Sequence, residues 1–367
     1  DFCLSRGLGD VYKRQLYDIQ ITNDGGFVMI FNSGWGLGFV NNYIVRLDAA
    51  ANIIWNKEIV TDNQEPMVKS LLVNGSSIFI AADFYNAFAQ KSIDIGKIDL
   101  ESGNFIWKKR FETNFSDLFD PHLALINDTL CVSFVTTQHA SPFPVNAFAF
   151  ASFNANSGNK ISSFEFINPV LAFNVTYYAI YGIGPFHFNR TGDDNLFSAQ
   201  LVYHNNDTAL NVTKFTSTGN IIWSKNYKNY RKHDVWSVKS NNDELLIAGR
   251  RYTGYPNTTD VGFLMRLKQN GNVVDQTLPP TADCYNEPVT VITQPLVLTE
   301  MSSSNFVSTN TFSLLNESVF APQLTTTLIN SNEACHTVDL SCNSLNVSGP
   351  STICIDSSII TLSLIHI

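Results

Sequence analysis

The sequence is poor in charge and has no long apolar run. Charged residues make up 15% of its 367 residues, and the formal net charge is −9. Lys and Arg occur only in short runs, such as Arg250-Arg251 and the segment 230–232, so the chain lacks the basic surface that binds nucleic acid or anionic lipid. No apolar run approaches the roughly 18 residues that a membrane-spanning helix needs. We therefore predict no nucleic-acid partner and no membrane insertion.

The signatures of common catalytic and metal sites are missing as well. There is no G-x-S-x-G elbow, no H-E-x-x-H, no P-loop and no dinucleotide fingerprint. The cysteines lack C-x-x-C spacing, which argues against a zinc site. Asp24, Asp193 and Asp194 lie in hairpin-turn signals, where the turn itself requires Asp, and no calcium site is predicted from them. The sequence thus predicts no catalytic residues, no metal and no cofactor.

No sustained 3.6-residue apolar period is present, so helices are not predicted. Instead, a unit recurs with a common tail: RLDAAANIIWNKEI (46–59), KIDLESGNFIWKKRF (97–111), SFNANSGNKISSFEF (152–166), KFTSTGNIIWSKNY (214–227) and RLKQNGNVVDQTL (266–278). The Asn residues at the shared position are separated by 52, 55, 61 and 52 residues. A period near fifty residues, with strand-like runs inside each unit, predicts a radial or stacked repeat.

Each unit has the pattern of four short strands separated by Asn, Asp and Gly turn signals. Four antiparallel strands per repeat form the blade of a β-propeller. The alternative, a row of β-sandwich modules, needs about a hundred residues per module. We predict an all-β propeller with blades at 16–60, 67–111, 120–166, 178–228 and 233–278, a degenerate sixth blade at 287–330, and room for a seventh in the intact ring.

Both ends of the chain resemble translated sequencing adapter. The segments SRGLGDVYKRQ (5–15) and LSLIHI (362–367) correspond to the two strands of one transposase adapter sequence. We expect residues 1–15 and 362–367 to be non-native and exclude them from fold reasoning. The natural fragment then holds a β-propeller over 16–340 and the start of an Ig-like or PKD-like module over 341–361, which is too short to bury a core.

The cysteines fall into two groups. Cys131 lies within an apolar strand and is predicted to be buried and unpaired. Cys284 and Cys335 flank the last predicted blade, and a disulfide between them would join its two ends. The partners of Cys342 and Cys354 stay open.

Six aromatic residues lie in the loops between the second and third strands, which we expect on one face of the ring. They are Trp35, Phe84, Tyr85, Phe143, Tyr252 and Tyr255. Aromatic rings beside Asn, Thr and Gln form a surface of the kind that binds glycans or proteins. The alternative is that these rings fold back over the rim as packing. Trp55, Trp107 and Trp223 belong to the repeated tail and are predicted to pack between blades.

The tail at 97–111 resembles the repeat of quinoprotein-like propellers, a family that binds pyrroloquinoline quinone and calcium on the ring axis. None of that family's cofactor or calcium residues can be placed here. The whole arrangement, with NDGG, RLD and GN-x-IW-x-K units followed by the phrase GPSTIC (349–354), resembles secreted, gliding-motility-associated surface proteins of gliding bacteria. This resemblance implies export by the type IX route and display outside the cell.

Two functions stay open on these grounds. The first is an extracellular propeller module of a large adhesin that binds glycan or protein through the loop face. The second is an enzyme, either a quinoprotein-like dehydrogenase or a polysaccharide-active propeller. Convergent carboxylates on the ring axis would favour the enzyme. We predict the first, without enzymatic activity, as a monomeric part of a multidomain chain.

Overall fold

The computed structural model of the chain is all-β. It describes residues 14–33, 41–60, 65–85, 92–113, 116–138, 145–167, 187–204, 207–227, 233–240, 244–252, 260–274, 286–288, 292–301 and 307–309. Within these ranges there are strands and turns and no helix. The predicted fold class is therefore confirmed.

Five successive antiparallel sheets form the blades of a β-propeller. Blade 1 contains β1 (Arg14–Ile21), β2 (Phe27–Ser33), β3 (Asn41–Leu47) and β4 (Ile53–Val60), and blade 2 contains β5 (Glu65–Asn74), β6 (Ser77–Tyr85), β7 (Ile93–Asp99) and β8 (Phe105–Glu112). Blade 3 contains β9 (Ser116–Ile126), β10 (Thr129–Gln138), β11 (Val145–Asn154) and β12 (Lys160–Ile167), and blade 4 contains β13 (His187–Arg190), β14 (Leu196–His204), β15 (Asp207–Phe215) and β16 (Ile221–Tyr227). Blade 5 contains β17 (His233–Ser240), β18 (Glu244–Tyr252) and β19 (Asp260–Lys268). The first strands of consecutive blades lie side by side and form the inner wall of the ring.

The C-terminal strands correct one prediction. They are β20 (Asn286–Pro288), β21 (Ile292–Pro295), β22 (Thr299–Glu300) and β23 (Val307–Thr309). Instead of forming a sixth blade, they add a fifth strand to the outer edges of blades 4, 3, 2 and 1 in that order. We call residues 286–309 the belt. Its segments are too short to form a sheet of their own, and each one satisfies the exposed backbone edge of a fourth strand.

The apolar core lies between the blades rather than at one centre. Four clusters of buried side chains join blade 1 to 2, 2 to 3, 3 to 4 and 4 to 5. Blades 2, 3 and 4 are covered on both sides by these clusters, so their middle strands bury side chains on both faces. Cys131 is fully buried on β10 and is unpaired, as predicted.

At the four junctions that join blades 1 to 2, 2 to 3, 3 to 4 and 4 to 5, an aromatic ring packs against a glycine of the next blade, and we call this contact the aromatic clamp. The ring is Phe164 at the junction of blades 3 and 4 and a Trp at the other three, where the Trp also donates a hydrogen bond. Trp55 Nε1 donates to the carbonyl of Leu100 at 2.9 Å, and Trp107 Nε1 donates to that of Ala155 at 3.2 Å, in each case in the next blade. Trp223 repeats the bond at the junction of blades 4 and 5. The predicted packing of these three Trp residues between blades is confirmed.

Candidate functional site: the axial channel

The first strands of the five blades surround a cavity of about 760 Å³. Residues of β1, β5, β9, β13 and β17 line it, so the cavity lies on the axis of the ring, and we call it the axial channel. Its polar lining includes Tyr17, Asp18, Lys69, His122, Asn189 and Lys239. Small-ligand sites in proteins have volumes of about 300–1,000 Å³, and this channel falls within that range.

β-Bulges on the inner strands determine which side chains face the channel. The register of β1 with β2 skips Tyr17, and that of β5 with β6 skips Lys69. Strand β9 has its irregularity between Phe119 and His122, and β17 skips Trp236. A bulge places two residues opposite one and re-aims a side chain. In blades 1 and 2 the skipped residues, Tyr17 and Lys69, are part of the channel wall.

Polar side chains also tie neighbouring inner strands together. Asp18 Oδ2 accepts the N–H of Leu71 in blade 2 at 3.1 Å. Ser70 Oγ accepts the N–H of Leu123 in blade 3 at 3.1 Å. Asn189 Nδ2 donates to the carbonyl of Val238 in blade 5 at 3.1 Å. These bonds fix the channel wall, so its polar groups are held in place before any ligand arrives.

Asp18 is the carboxylate most deeply placed in this wall. Burial raises the pKa of Asp18 above its ordinary value, although the N–H groups of Leu71 and Ile19 and the charge of Lys239 act in the opposite direction. The Ile19 N–H lies 2.8 Å from Oδ1. Both carboxylate oxygens of Asp18 thus accept backbone N–H groups, and this residue helps to hold β1 and β5 in position.

Lys69 lies at the centre of a charged cluster beside the channel. Its Nζ is 5.2 Å from the centre of the Tyr17 ring, within cation–π distance. Burial alone would lower the pKa of Lys69, but the carboxylates of Asp83 and Asp120 and the Tyr17 hydroxyl raise it above its ordinary value. The Asp120 N–H donates to Asp83 Oδ2 at 3.0 Å, and His122 Nε2 is 3.6 Å from Asp120 Oδ2. Lys69 is therefore a fixed cation at neutral pH.

The channel wall does not match the convergent carboxylates that would favour an enzyme. Convergent carboxylates do not dominate its wall, since Lys69, Lys239, Arg190 and His122 contribute to it as well as Asp18. Apolar side chains, among them Leu71, Leu123 and Val238, lie between these charged groups. Such a mixture of donors, acceptors and aromatic rings suits a small ligand with many hydroxyl groups.

The predicted binding residues lie only partly within the described structure. Phe84 and Tyr85 are the last two residues of β6, and Tyr252 is the last residue of β18, with backbone positions described for each. Trp35, Phe143 and Tyr255 lie outside the described residues, as do Cys284 and Cys335. The loop-face site and the disulfide therefore stay predictions.

Sequence reasoning missed the channel residues. The inner strands were recognised as short strands, but Tyr17 and Lys69 were not singled out. The available signal was the break in strand alternation at LYDI (16–19) and VKSL (68–71), where a polar residue interrupts the apolar pattern. Among the described residues, no group of three or more His, Cys, Asp or Glu side chains is arranged to hold a metal ion. Nor does any described helix have the length and apolarity to cross a membrane.

Comparison with known proteins gives similarity at the level of architecture. No family model and no curated protein matches the chain. Among solved structures, it is similar to a subtype N11 neuraminidase-like protein of A/flat-faced bat/Peru/033/2010 (H18N11), with 11% identity, a TM-score of 0.40, and coverage of 70% of this chain and 88% of that one. It is also similar to α-L-arabinofuranosidase from Lactobacillus brevis, with 13% identity, a TM-score of 0.39, and coverage of 72% and 94%.

These comparisons correct the prediction that the chain has no enzymatic activity. Both structures are named for a glycosidase or for likeness to one, so that prediction is wrong as it was made. The likeness is too low to carry an activity or a catalytic residue over to this chain.

Proposed function

We propose that this chain is a glycan-binding propeller, displayed outside a bacterial cell, in which the axial channel receives part of the ligand. The observation that carries the proposal is the composition of the channel wall. Lys69 and Lys239 provide donors, Asn189 provides an amide, and the Tyr17 ring is 37% exposed beside them. Sugar hydroxyls pair with such donors and acceptors, and a sugar face packs on an aromatic ring.

A glycan fits this wall better than a folded protein partner does. A cavity of about 760 Å³ admits a few sugar rings and no folded domain. The inner strands are rigid because their backbones and side chains are bonded across blades, which reduces the entropy lost on binding. A glycan chain that extends from the channel would meet the loops that carry Trp35, Tyr85 and Tyr252.

The finer context follows from the sequence resemblance. We propose that the propeller belongs to a large modular surface protein of the gliding-associated type, exported by the type IX route and followed by Ig-like or PKD-like modules. The low charge and the abundance of Asn, Ser and Thr support an extracellular location. In such a protein the propeller would act in adhesion to a glycan-coated surface.

Glycan-array binding followed by calorimetry on the best ligand tests the proposal. Lys239→Ala and Tyr17→Ala should each weaken binding roughly tenfold, which corresponds to about 1.4 kcal/mol for one lost polar or stacking contact. Lys268→Ala is the matched control, since Lys268 is exposed on the same blade, near the turn that follows β19. Assay of new reducing ends in the same samples shows whether the bound glycan is also cleaved.

Thermal unfolding of each variant separates lost binding from lost folding. The proposal would be wrong if the chain bound no glycan, or if both channel variants bound as tightly as the control. Tight binding to a protein with no glycan dependence would favour the other class of partner.

A further inference from the structure

The cations on the wall of the axial channel differ in how far the protein already neutralises them. Arg190 Nε donates to Asp194 Oδ1 at 2.9 Å. Lys69 lies among the carboxylates that raise its pKa, so its charge is balanced by the protein. Lys239 lines the same cavity and is exposed, and no residue that the structure describes forms a hydrogen bond or an ion pair with its side chain. Of these three cations, Lys239 is therefore the one available to a ligand.

Asp18 is the wall carboxylate on which the charge of Lys239 acts, but the protein already uses its oxygens. Oδ1 accepts the Ile19 N–H at 2.8 Å and Gln20 Nε2 at 3.3 Å, and Oδ2 accepts the Leu71 N–H at 3.1 Å. Burial also raises the pKa of Asp18, which disfavours its negative charge. Asp18 therefore leaves the ammonium group of Lys239 without a bonded counter-ion.

The other carboxylate on the channel wall, that of Asp128, lies at a different level of the ring. The Leu123 N–H donates to Ser70 Oγ at 3.1 Å, so this part of β9 is level with Lys69 on β5. Asp128 is in the turn after β9, five residues beyond Leu123 and at least about 10 Å further along the strand. It therefore does not compete for a ligand group bound at the level of the lysines.

An exposed aromatic ring lies between the two lysines of the channel wall. Tyr17 is on β1, with Lys69 on the neighbouring strand β5 and Lys239 on β17 of the last blade. The Tyr17 ring is 37% exposed, and Lys69 Nζ lies 5.2 Å from its centre. Asn189 Nδ2 donates to the carbonyl of Val238, which fixes the backbone beside Lys239. A stacking ring and an available cation are thus presented together on strands that are held in place.

We propose that the axial channel selects acidic glycans, whose carboxylate or sulfate group pairs with Lys239 while a sugar face packs on Tyr17. This inference rests on the proposed glycan binding and adds the class of sugar. An anionic group makes a charge-assisted hydrogen bond with an ammonium group, which is stronger than the bond from a neutral hydroxyl. The whole chain has a formal net charge of −9, which repels a polyanion in general. Selection of an acidic glycan therefore requires a local site of this kind.

Calorimetric titration of the full chain with two matched pairs of polymers tests the proposal. The first pair is polygalacturonate and its carboxyl-reduced form, and the second is dextran sulfate and dextran. We expect the acidic member of at least one pair to bind roughly tenfold more tightly, as one hydrogen bond to a charged group would give. A preference in the first pair identifies a carboxylate as the recognised group, and a preference in the second identifies a sulfate.

Three variants then assign the preference to a residue. Lys239→Met should abolish it, Lys239→Arg should retain it, and Lys268→Met is the control, because Lys268 is exposed and does not line the channel. Added salt should weaken binding of the acidic polymer to the parent chain more than to Lys239→Met.

The outcomes separate this inference from the function on which it rests. Equal affinity for both members of each pair would overturn the acidic preference and leave glycan binding intact. A preference that persists in Lys239→Met would also overturn it, since another group would then recognise the anion. Failure to bind any glycan, on these polymers and on the array, would overturn the proposed function itself. Thermal unfolding of each variant confirms that the folded chain is compared in every titration.

Discussion

Trp107 of blade 2 lies so close to Gly158 of blade 3 that a Cβ atom built on this glycine would be 2.8 Å from the indole Cε3. The glycine therefore serves two needs at once. Its φ of 70° is in the left-handed region, and its missing side chain makes room for the ring. At the four junctions from blade 1 to blade 5, the Gly-Asn turn of one blade thus receives an aromatic ring of the blade before, which is Phe164 at one junction and a Trp at the other three.

The first prediction concerns this contact. Gly158→Ala should lower the free energy of unfolding by about 1–3 kcal/mol more than Gly75→Ala does, because an added methyl group overpacks against Trp107. Gly75 is the matched control, since its φ is 58° and a Cβ there would meet nothing within 4 Å. Urea unfolding of both variants gives the comparison. Equal losses would mean that only backbone strain matters at Gly158.

Much of this architecture could be predicted from the sequence because it is local and repeated. Turns such as the one at Gly75 need positive φ, and the sequence places Gly, Asn or Asp at all of them except the turn at Ala51. The Trp residues recur at a fixed distance from the Gly-Asn turn, which indicated a contact made once per blade. Both features depend only on neighbouring residues and on the repeat.

The belt and the axial channel could not be predicted in the same way. Strands β20 to β23 are two to four residues long, too short for alternation to appear, and β22 pairs with a strand nearly two hundred residues earlier. The pairing follows from the exposed outer edges, which the sequence does not mark. In the channel, the bulges at Tyr17 and Lys69 break the alternation on which strand reasoning depends.

The second prediction concerns the loss of folding stability at low pH that follows from protonation of Asp24. Hydrogen bonds from the Thr22 hydroxyl, the Gly26 N–H and Arg46 lower the pKa of Asp24 to about 2. Because the folded-state pKa is below the ordinary value of 3.8, this group stabilises the fold above about pH 4, and the contribution is lost as the pH falls towards 2. Asp24→Asn should therefore lose less stability than the parent chain between pH 4 and pH 2, measured by urea midpoints.

The third prediction concerns the buried pair of Asp94 and Arg110. Arg110 Nε donates to Asp94 Oδ1 at 2.8 Å, yet burial prevails and raises the pKa of Asp94 to about 7. The folded state then holds one more proton than the unfolded chain between about pH 4 and pH 7. The stability contributed by this group falls as the pH rises through that window.

Asp94→Asn removes that dependence and should flatten the stability profile between pH 4 and pH 7. Asp24→Asn is the control, because its effect lies at lower pH. Urea midpoints measured at half-unit steps give the two slopes. An unchanged slope in the Asp94 variant would show that Arg110 keeps the carboxylate ionised in the folded state.

The last prediction separates the loop face from the packing between blades. Trp35, Tyr85 and Tyr252 lie in or at the ends of the loops after the second strands, and rigid blades carry those loops. Replacing all three with Ala should weaken glycan binding and change stability little. Trp107→Ala should do the reverse. The Trp107 ring packs in the junction between blades 2 and 3, so its loss should lower the free energy of unfolding by roughly 3–5 kcal/mol. Glycan binding per folded molecule should stay near that of the parent chain. Glycan binding that survives the triple substitution, measured beside Tyr17→Ala, would confine the site to the channel.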